Sequence, residues 1–250
     1  SPTSSSSWTR SPSYPSTRWR WRWRTSTGAD APAGGPPADR AVRHAVAELT
    51  KAGAQGILSV TPYYNKPTPE GLYQHYLAIA SSTALPVVVY NVPGRTGCNV
   101  DPATLARLAT IPNIVGVKEA SGNMTQMAEI CHLVPSDFIV LSGDDALTLP
   151  LMAIGGRGII SVASNEVPAE MVKMVEAAER GNFADARRWH DKLLVNFVES
   201  SPGPVKFAMA AMGLCEEAYR LPMVSPKPAS QEKVLAVLKA FGLPVVTTSR

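Results

Sequence analysis

Residues 114–118 read Ile-Val-Gly-Val-Lys, an apolar run that ends in a lysine. An uninterrupted apolar run is typical of a strand that is covered on both faces, as in a parallel sheet. A lysine that ends such a strand is expected to point into the protein, where burial disfavours its charged form and lowers its pKa. A neutral amine attacks ketones and forms imines, so Lys118 is a candidate nucleophile. The alternative is a structural lysine paired with a carboxylate such as Glu119.

Other apolar runs surround this one, with helical patterns between them. Strands are predicted at 56–61, 86–90, 114–118, 138–141 and 158–162, about 25 residues apart, a spacing typical of strands that alternate with helices. Asp101 is predicted to cap the helix that follows it, and Asp144 to cap a helix over 144–154. The alternation predicts an α/β protein with a parallel sheet. An open doubly wound sheet and a closed barrel both fit it.

Polar side chains follow the ends of these strands. In a parallel barrel the carboxyl ends of the strands meet at one mouth, where active sites form. Tyr90 ends one strand, and its phenol is a candidate for passing protons to and from a carbinolamine. Arg95 lies in the next turn, where a guanidinium suits a substrate carboxylate. The alternatives are a tyrosine packed in the core and an arginine in a solvated loop.

Metal and phosphate sites are weakly supported. Asp144 and Asp145 are adjacent carboxylates, but a helix cap explains Asp144 more simply. The glycines of residues 155–158 suit a tight turn better than a phosphate site. The four histidines and three cysteines are scattered without the clustered spacing that metal ligands need. No metal, cofactor or disulfide framework is therefore expected, and the reduced cytoplasm is the expected compartment.

Residues 1–38 differ from the rest of the chain. They contain five arginines and one aspartate, which accounts for the whole net charge of +4, so the remaining residues are neutral overall. Ser, Thr, Pro and Gly dominate, with alternating Trp and Arg at 19–24, and we expect a disordered or non-native tail. A basic tail that binds nucleic acid or membrane is the alternative. No apolar run is long enough for a transmembrane helix.

Four motifs resemble the dihydrodipicolinate synthase family, also called 4-hydroxy-tetrahydrodipicolinate synthases. They are Val-Thr-Pro-Tyr-Tyr-Asn-Lys-Pro at 60–67, Tyr-Asn-Val-Pro-Gly-Arg-Thr-Gly at 90–97, Gly-Val-Lys-Glu-Ala-Ser-Gly-Asn at 116–123 and Ser-Gly-Asp-Asp at 142–145. The similarity extends from about residue 40 to residue 243. It implies a TIM (β/α)₈ barrel with a C-terminal helical extension. The expected organisation is a tail at 1–38, a partial barrel at 39–165 and a helical region at 166–250.

The resemblance also implies an activity. Family members condense pyruvate with L-aspartate 4-semialdehyde through a lysine imine, a step of lysine and diaminopimelate biosynthesis that uses no cofactor. Lys118 matches the imine-forming lysine and Tyr90 the proton-shuttling tyrosine. Tyr64 matches a tyrosine that reaches into the neighbouring subunit's site, which implies a homodimer or homotetramer. No nucleic-acid or membrane partner is expected.

Three further positions match substrate-binding positions of the family. Arg95 matches the arginine that holds the carboxylate of the aldehyde substrate, and Gly143 and Ile160 match positions that line the pyruvate pocket. Tyr63 matches a position that borders the lysine effector site in some members, but feedback inhibition by lysine cannot be carried over to this chain. Arg95 favours the synthases over the sialic-acid lyases, and related 2-keto-acid aldolases remain the alternative.

The sequence departs from the family pattern near its N-terminus. The family's Gly-Thr-Thr-Gly-Glu segment, whose threonines bind the pyruvate carboxylate, does not occur. We expect that three N-terminal strands are missing and that residues 4–38 come from a shifted reading frame. An inactive fragment is therefore an alternative to an active enzyme.

Overall fold

The computed structural model describes residues 38–194 and 202–246. This described part divides into two compact units, a first unit up to Leu141 and a second unit from Ser142. The predicted tail lies outside the described residues except for residue 38. The predicted boundary between residues 165 and 166 is a different division of the chain and stays a prediction.

Within the described residues, four strands form one sheet in the order β1-β2-β3-β4. They are β1 (Ile57–Val60), β2 (Val87–Asn91), β3 (Ile114–Glu119) and β4 (Ile139–Ser142). The β1–β2 and β2–β3 pairs are parallel, as the alternation with helices predicts. Each of these strands begins and ends within one residue of its predicted bounds.

Helices connect the strands and continue beyond them. They are α1 (Ala38–Lys51), α2 (Pro69–Ser81), α3 (Pro93–Thr96), α4 (Pro102–Leu108), α5 (Met124–Leu133), α6 (Thr148–Ala153), α7 (Pro168–Glu179), α8 (Phe183–Leu193), α9 (Gly203–Ala211) and α10 (Pro228–Ala240). Asp101 caps α4 as predicted, since its Oδ1 accepts a hydrogen bond of 2.9 Å from the backbone N of Thr104. No helix within 38–194 and 202–246 combines the length and the apolar character needed to cross a bilayer.

The apolar side chains of the strands form the core of the first unit. Val87, Val88 and Val89 of β2 are all buried, because alternating side chains of a covered sheet pack on both faces. Gly116 of β3 is required by the close approach of β4. A Cβ at this position would lie 2.5 Å from the backbone oxygen of Ile139, a distance that real Cβ atoms do not adopt.

The predicted fifth strand at 158–162 is not formed in the described second unit. This segment makes one parallel bridge, between Ser142 and Ile159. The reason lies in Asp145, whose carboxylate accepts hydrogen bonds of 3.2 Å from the backbone N of Val162 and from that of Ala163. These bonds turn the chain out of the extended conformation and into a short 3₁₀ helix, Ala163–Asn165.

The predicted capping role of Asp144 is wrong. Helix α6 begins at Thr148, and its cap position is occupied by Leu147 without a side-chain bond. Asp144 instead accepts a hydrogen bond of 3.0 Å from the backbone N of Ala146, which stabilises a turn before the helix. The C-terminal helical region is present as predicted, with a core in which Met171, Met174 and Leu193 are buried.

Candidate active site

Lys118 and Tyr90 lie side by side at the ends of β3 and β2. They are directly paired in the register of the two parallel strands. The Nζ of Lys118 lies 4.2 Å from the centroid of the Tyr90 ring. Two residues that are 28 positions apart in the sequence are thus brought together by strand pairing alone, with an amine against an aromatic ring.

Both side chains are partly buried. Burial raises the pKa of the Tyr90 phenol, and the positive charge of Arg95 acts in the opposite direction. A phenol with a raised pKa keeps its proton at neutral pH and can donate it to an oxygen atom of a bound substrate. The lowered pKa expected for Lys118 stays a prediction.

Arg95 lies in α3, a single helical turn directly after β2. Pro93 begins the turn, and Gly97 ends it in the left-handed conformation with φ of 70°. The turn is held by a hydrogen bond of 2.9 Å from the backbone N of Arg95 to the carbonyl of Val92. Arg95 is an exposed residue of the first unit.

Thr96 ties the loop after β1 to the turn after β2, a role that the sequence did not suggest. Its hydroxyl lies 3.2 Å from the hydroxyl of Thr61, which is fully buried. Its carbonyl accepts a hydrogen bond of 3.3 Å from the backbone N of Tyr64, and the backbone N of Thr61 donates to the carbonyl of Tyr90 at 3.0 Å. These bonds fix the loop that carries Tyr64 relative to the end of β2.

Tyr64 lies on this loop with most of its surface exposed to solvent. Its side chain is 93% exposed, and its backbone is left-handed with φ of 74°. A bulky residue rarely adopts this conformation, and backbone strain of this kind clusters at functional sites. The expected reach of Tyr64 into a neighbouring subunit's site stays a prediction.

Gly143 and Ile160 belong to the second unit. Both are partly buried, and the backbone N of Ile160 donates to the carbonyl of Ser142 at 2.9 Å. The hydrogen bond holds Ile160 beside the residue that precedes Gly143. Their expected place in a pyruvate pocket stays a prediction.

Asn91 and Glu119 were not recognised as a pair from the sequence. Each directly follows a predicted catalytic residue, and both side chains are fully buried. The Nδ2 of Asn91 donates to Oε2 of Glu119 at 2.9 Å. The sequence did contain one signal for this pair. At the ends of two adjacent strands, a candidate catalytic residue is followed directly by a polar residue.

The described residues contain no group of three or more His, Cys, Asp or Glu side chains that could hold a metal ion. Asp145, one of the two adjacent carboxylates, is engaged by backbone N–H groups and by the hydroxyl of Ser161. Its carboxylate therefore holds the backbone of residues 161–163 within the second unit.

Comparison with known proteins agrees with the resemblance seen in the motifs. A sequence model of the Dihydrodipicolinate synthetase family matches residues 31–241. The chain is 52% identical over 195 residues to a 4-hydroxy-tetrahydrodipicolinate synthase of Koribacter versatilis, a match that covers 76% of this chain and 65% of that relative. The chain thus spans about two thirds of the length of this curated relative.

Solved structures give the same result. The dihydrodipicolinate synthase from Thermotoga maritima is 45% identical, with a TM-score of 0.80 over 82% of this chain and 72% of that one. The chloride-inhibited dihydrodipicolinate synthase from Acinetobacter baumannii, complexed with pyruvate, is 39% identical, with a TM-score of 0.79 over 82% of this chain and 72% of that one. The predicted fold class, an α/β protein of the TIM-barrel type, is confirmed.

Tyr90 is expected to release its proton above the ordinary tyrosine pKa of about 10, because burial raises its pKa. Arg95→Ala raises the Tyr90 pKa further, since the arginine's positive charge favours the phenolate. Difference ultraviolet titration at low ionic strength measures both, with Tyr90→Phe identifying the Tyr90 signal. Arg107→Ala is the control, since Arg107 contacts Glu70 and Tyr73 instead. A lower Tyr90 pKa in Arg95→Ala would contradict this electrostatic account.

Proposed function

Because the chain belongs to the dihydrodipicolinate synthetase family, we propose that it condenses pyruvate with L-aspartate 4-semialdehyde through an imine on Lys118. The product is 4-hydroxy-tetrahydrodipicolinate, which serves lysine and diaminopimelate biosynthesis. The observation that carries the proposal is the Lys118 amine held 4.2 Å from the centre of the Tyr90 ring at the ends of adjacent strands. The pyruvate complex of the Acinetobacter baumannii relative supports pyruvate as the first substrate.

The chemistry follows from this geometry. The neutral Nζ of Lys118 attacks the C2 carbonyl carbon of pyruvate, and a bond forms as the carbonyl electrons move to oxygen. One proton of the attached nitrogen passes to this oxygen, which gives the carbinolamine. Tyr90 then donates its proton to the carbinolamine hydroxyl, which leaves as water, and the protonated imine forms on Lys118. The Tyr90 phenolate takes a proton from the methyl carbon, which gives an enamine and restores the phenol, and the enamine carbon attacks the aldehyde carbon of the second substrate. No step of this scheme requires a cofactor.

The alternatives have less support. A related 2-keto-acid aldolase is not favoured by the relatives named above, which are all described as synthases. A basic tail that binds nucleic acid or membrane falls on residues 1–38, almost all outside the described residues. We place the reaction in the cytoplasm, as expected of a biosynthetic enzyme.

Lys118 is expected to form a covalent adduct with pyruvate. Borohydride reduces an imine to a stable secondary amine, so treatment with pyruvate and borohydride should leave a reduced pyruvyl group on Lys118, detected by peptide mass spectrometry. Lys118→Arg should abolish the adduct, whereas Lys173→Arg, at an exposed site of α7, should leave it unchanged. An adduct on another lysine, or none in the unmodified chain, would contradict the proposed chemistry.

Arg95→Ala is expected to weaken use of aspartate semialdehyde more than imine formation with pyruvate. The guanidinium is exposed, so its loss removes a charge-assisted hydrogen bond of about 1.5–3 kcal/mol, smaller than a buried bond would give. This corresponds to about 10- to 150-fold in kcat/KM for the aldehyde. Arg107→Ala is the control, and equal losses in both steps with Arg95→Ala would show that Arg95 is structural.

We further propose that the enzyme is at least a homodimer, in which Tyr64 of one subunit relays protons in its neighbour's site. The 93% exposure and left-handed backbone of Tyr64 support this assignment. Mixing the inactive variants Lys118→Arg and Tyr64→Phe should then restore activity, because a hybrid dimer contains one site with both Lys118 and Tyr64 intact. Mixing Lys118→Arg with Tyr90→Phe should restore none, since Lys118 and Tyr90 belong to the same chain. Activity of the first mixture equal to the sum of its components would contradict a shared site.

A further inference from the structure

A second residue pair lies one position beyond the proposed catalytic pair. Asn91 and Glu119 are partners in the same β2–β3 register as Tyr90 and Lys118. Successive side chains of a strand point to opposite faces of the sheet. The sheet thus carries Tyr90 and Lys118 on one face, and Asn91 with Glu119 directly behind them on the other.

The second pair is completely buried and its polar atoms are bonded. Asn91 Nδ2 donates to Glu119 Oε2 and to Asn99 Oδ1, both at 2.9 Å. Asn91 Oδ1 accepts a bond of 3.0 Å from the backbone N of Val100. Glu119 Oε1 accepts a bond of 2.8 Å from the backbone N of Ser121. Burying a carboxylate is costly unless its oxygens are hydrogen-bonded, and here each oxygen has a donor.

The bonds continue into the elements around the strand ends. Asn99 Nδ2 donates to Gln126 Oε1 at 2.8 Å, and Gln126 lies in the first turn of α5. The carbonyl of Asn91 also accepts a bond of 2.8 Å from the backbone N of Ala120. The network therefore joins the loop after β2, the loop after β3 and the start of α5 at the level of the Lys118 amine.

We propose that Asn91 and Glu119 are positioning residues, which hold the ends of β2 and β3 so that Lys118 and Tyr90 stay aligned. The inference rests on the proposed function for its catalytic meaning. Neither side chain acts on substrate: the pair lies behind the reacting groups and acts through the backbone. A displacement of about 1 Å in a reacting group can cost about 100-fold in rate. Loosening the ends of β2 and β3 would therefore slow the reaction of the Lys118 amine.

Glu119→Gln is the sharpest test, because it keeps the size of the side chain. Both carboxylate oxygens of Glu119 accept hydrogen bonds from fixed donors. A glutamine in either orientation therefore places its NH₂ group against one of these donors, and that hydrogen bond is lost. We expect the rate of imine formation with pyruvate to fall about 10- to 100-fold. The double variant Asn91→Asp with Glu119→Gln restores a donor facing an acceptor. The paired amides of Asn99 and Gln126 can rotate together, so that Asn99 Nδ2 faces the new carboxylate. The rate should then recover to within about threefold of that of the unmodified chain.

Asn113→Ala is the matched control. Asn113 precedes β3 at its opposite end, and its Nδ2 lies within hydrogen-bond distance of the carbonyls of Ala80, Thr83 and Leu85 at 2.9, 3.0 and 3.3 Å. Its removal lowers stability without touching the alignment at the carboxyl end, so imine formation should change less than about twofold. Asn99→Ala removes the outer acceptor of Asn91 together with the bond to Gln126. It leaves the bond between Asn91 and Glu119 in place, and should lower the rate about 2- to 10-fold even if Glu119→Gln fails to fold.

A second readout separates this proposal from the proposed function. Acetylation of Lys118 by acetic anhydride, followed across pH by peptide mass spectrometry, reports the state of the amine without pyruvate. Glu119→Gln, or Asn99→Ala to a smaller extent, should change the pH midpoint of Lys118 labelling, and Asn113→Ala should not. An unmodified chain that forms no imine would contradict the proposed function, while the labelling profile would still decide the positioning role. Equal effects of Asn99→Ala and Asn113→Ala, or a double variant no better than Glu119→Gln, would overturn it.

Discussion

The parallel register between β2 and β3 is the constraint on which the rest of the site depends. It sets Tyr90 opposite Lys118 and, one residue later, Asn91 opposite Glu119. Because strand side chains alternate between faces, one register supplies both the face that carries the chemistry and the buried face that holds it in place. A shift of this register by one residue would turn the amine away from the phenol.

The surrounding structure maintains that register. The carboxyl end of the sheet is fixed by the bonds of Asn91 and Glu119, whereas Asn113 ties the opposite end of β3 to α2, away from the reacting groups. On the other edge, Gly116 lets β4 approach β3 closely, because no Cβ stands between the strands. The substrate-binding residue proposed at Arg95 lies on an exposed turn, whereas the pair proposed to form and protonate the imine lies on strands. Rigid elements thus carry the covalent step, and a loop carries recognition of the aldehyde.

Much of the first unit could be predicted from the sequence. The apolar runs located β1 to β4 to within one residue, because strands covered on both faces leave an unbroken apolar signal. Lys118 and Tyr90 were found because a polar residue that ends such a run is unusual. The prediction of a fifth strand was wrong. The apolar pattern at 158–162 does not reveal that the carboxylate of Asp145, more than ten residues earlier, accepts hydrogen bonds from the backbone N of Val162 and Ala163. The capping role of Asp144 was also predicted wrongly, because its carboxylate accepts from the backbone N of Ala146 and α6 begins only at Thr148.

Other features depend on three-dimensional context. The pairing of Asn91 with Glu119 needs the β2–β3 register, which no local pattern specifies. The left-handed backbone of Tyr64 is likewise invisible to propensity, because tyrosine rarely adopts it.

The central claim is that the Lys118 amine, aligned with Tyr90 by strand pairing, is the atom that bonds to pyruvate. A crystal structure of the full chain soaked with pyruvate tests it most directly. The account predicts continuous electron density from Nζ of Lys118 to C2 of pyruvate, with the Tyr90 hydroxyl within hydrogen-bond distance of the reacting centre. Pyruvate bound without a covalent bond to Lys118, or a Lys118 side chain turned away from Tyr90, would contradict it.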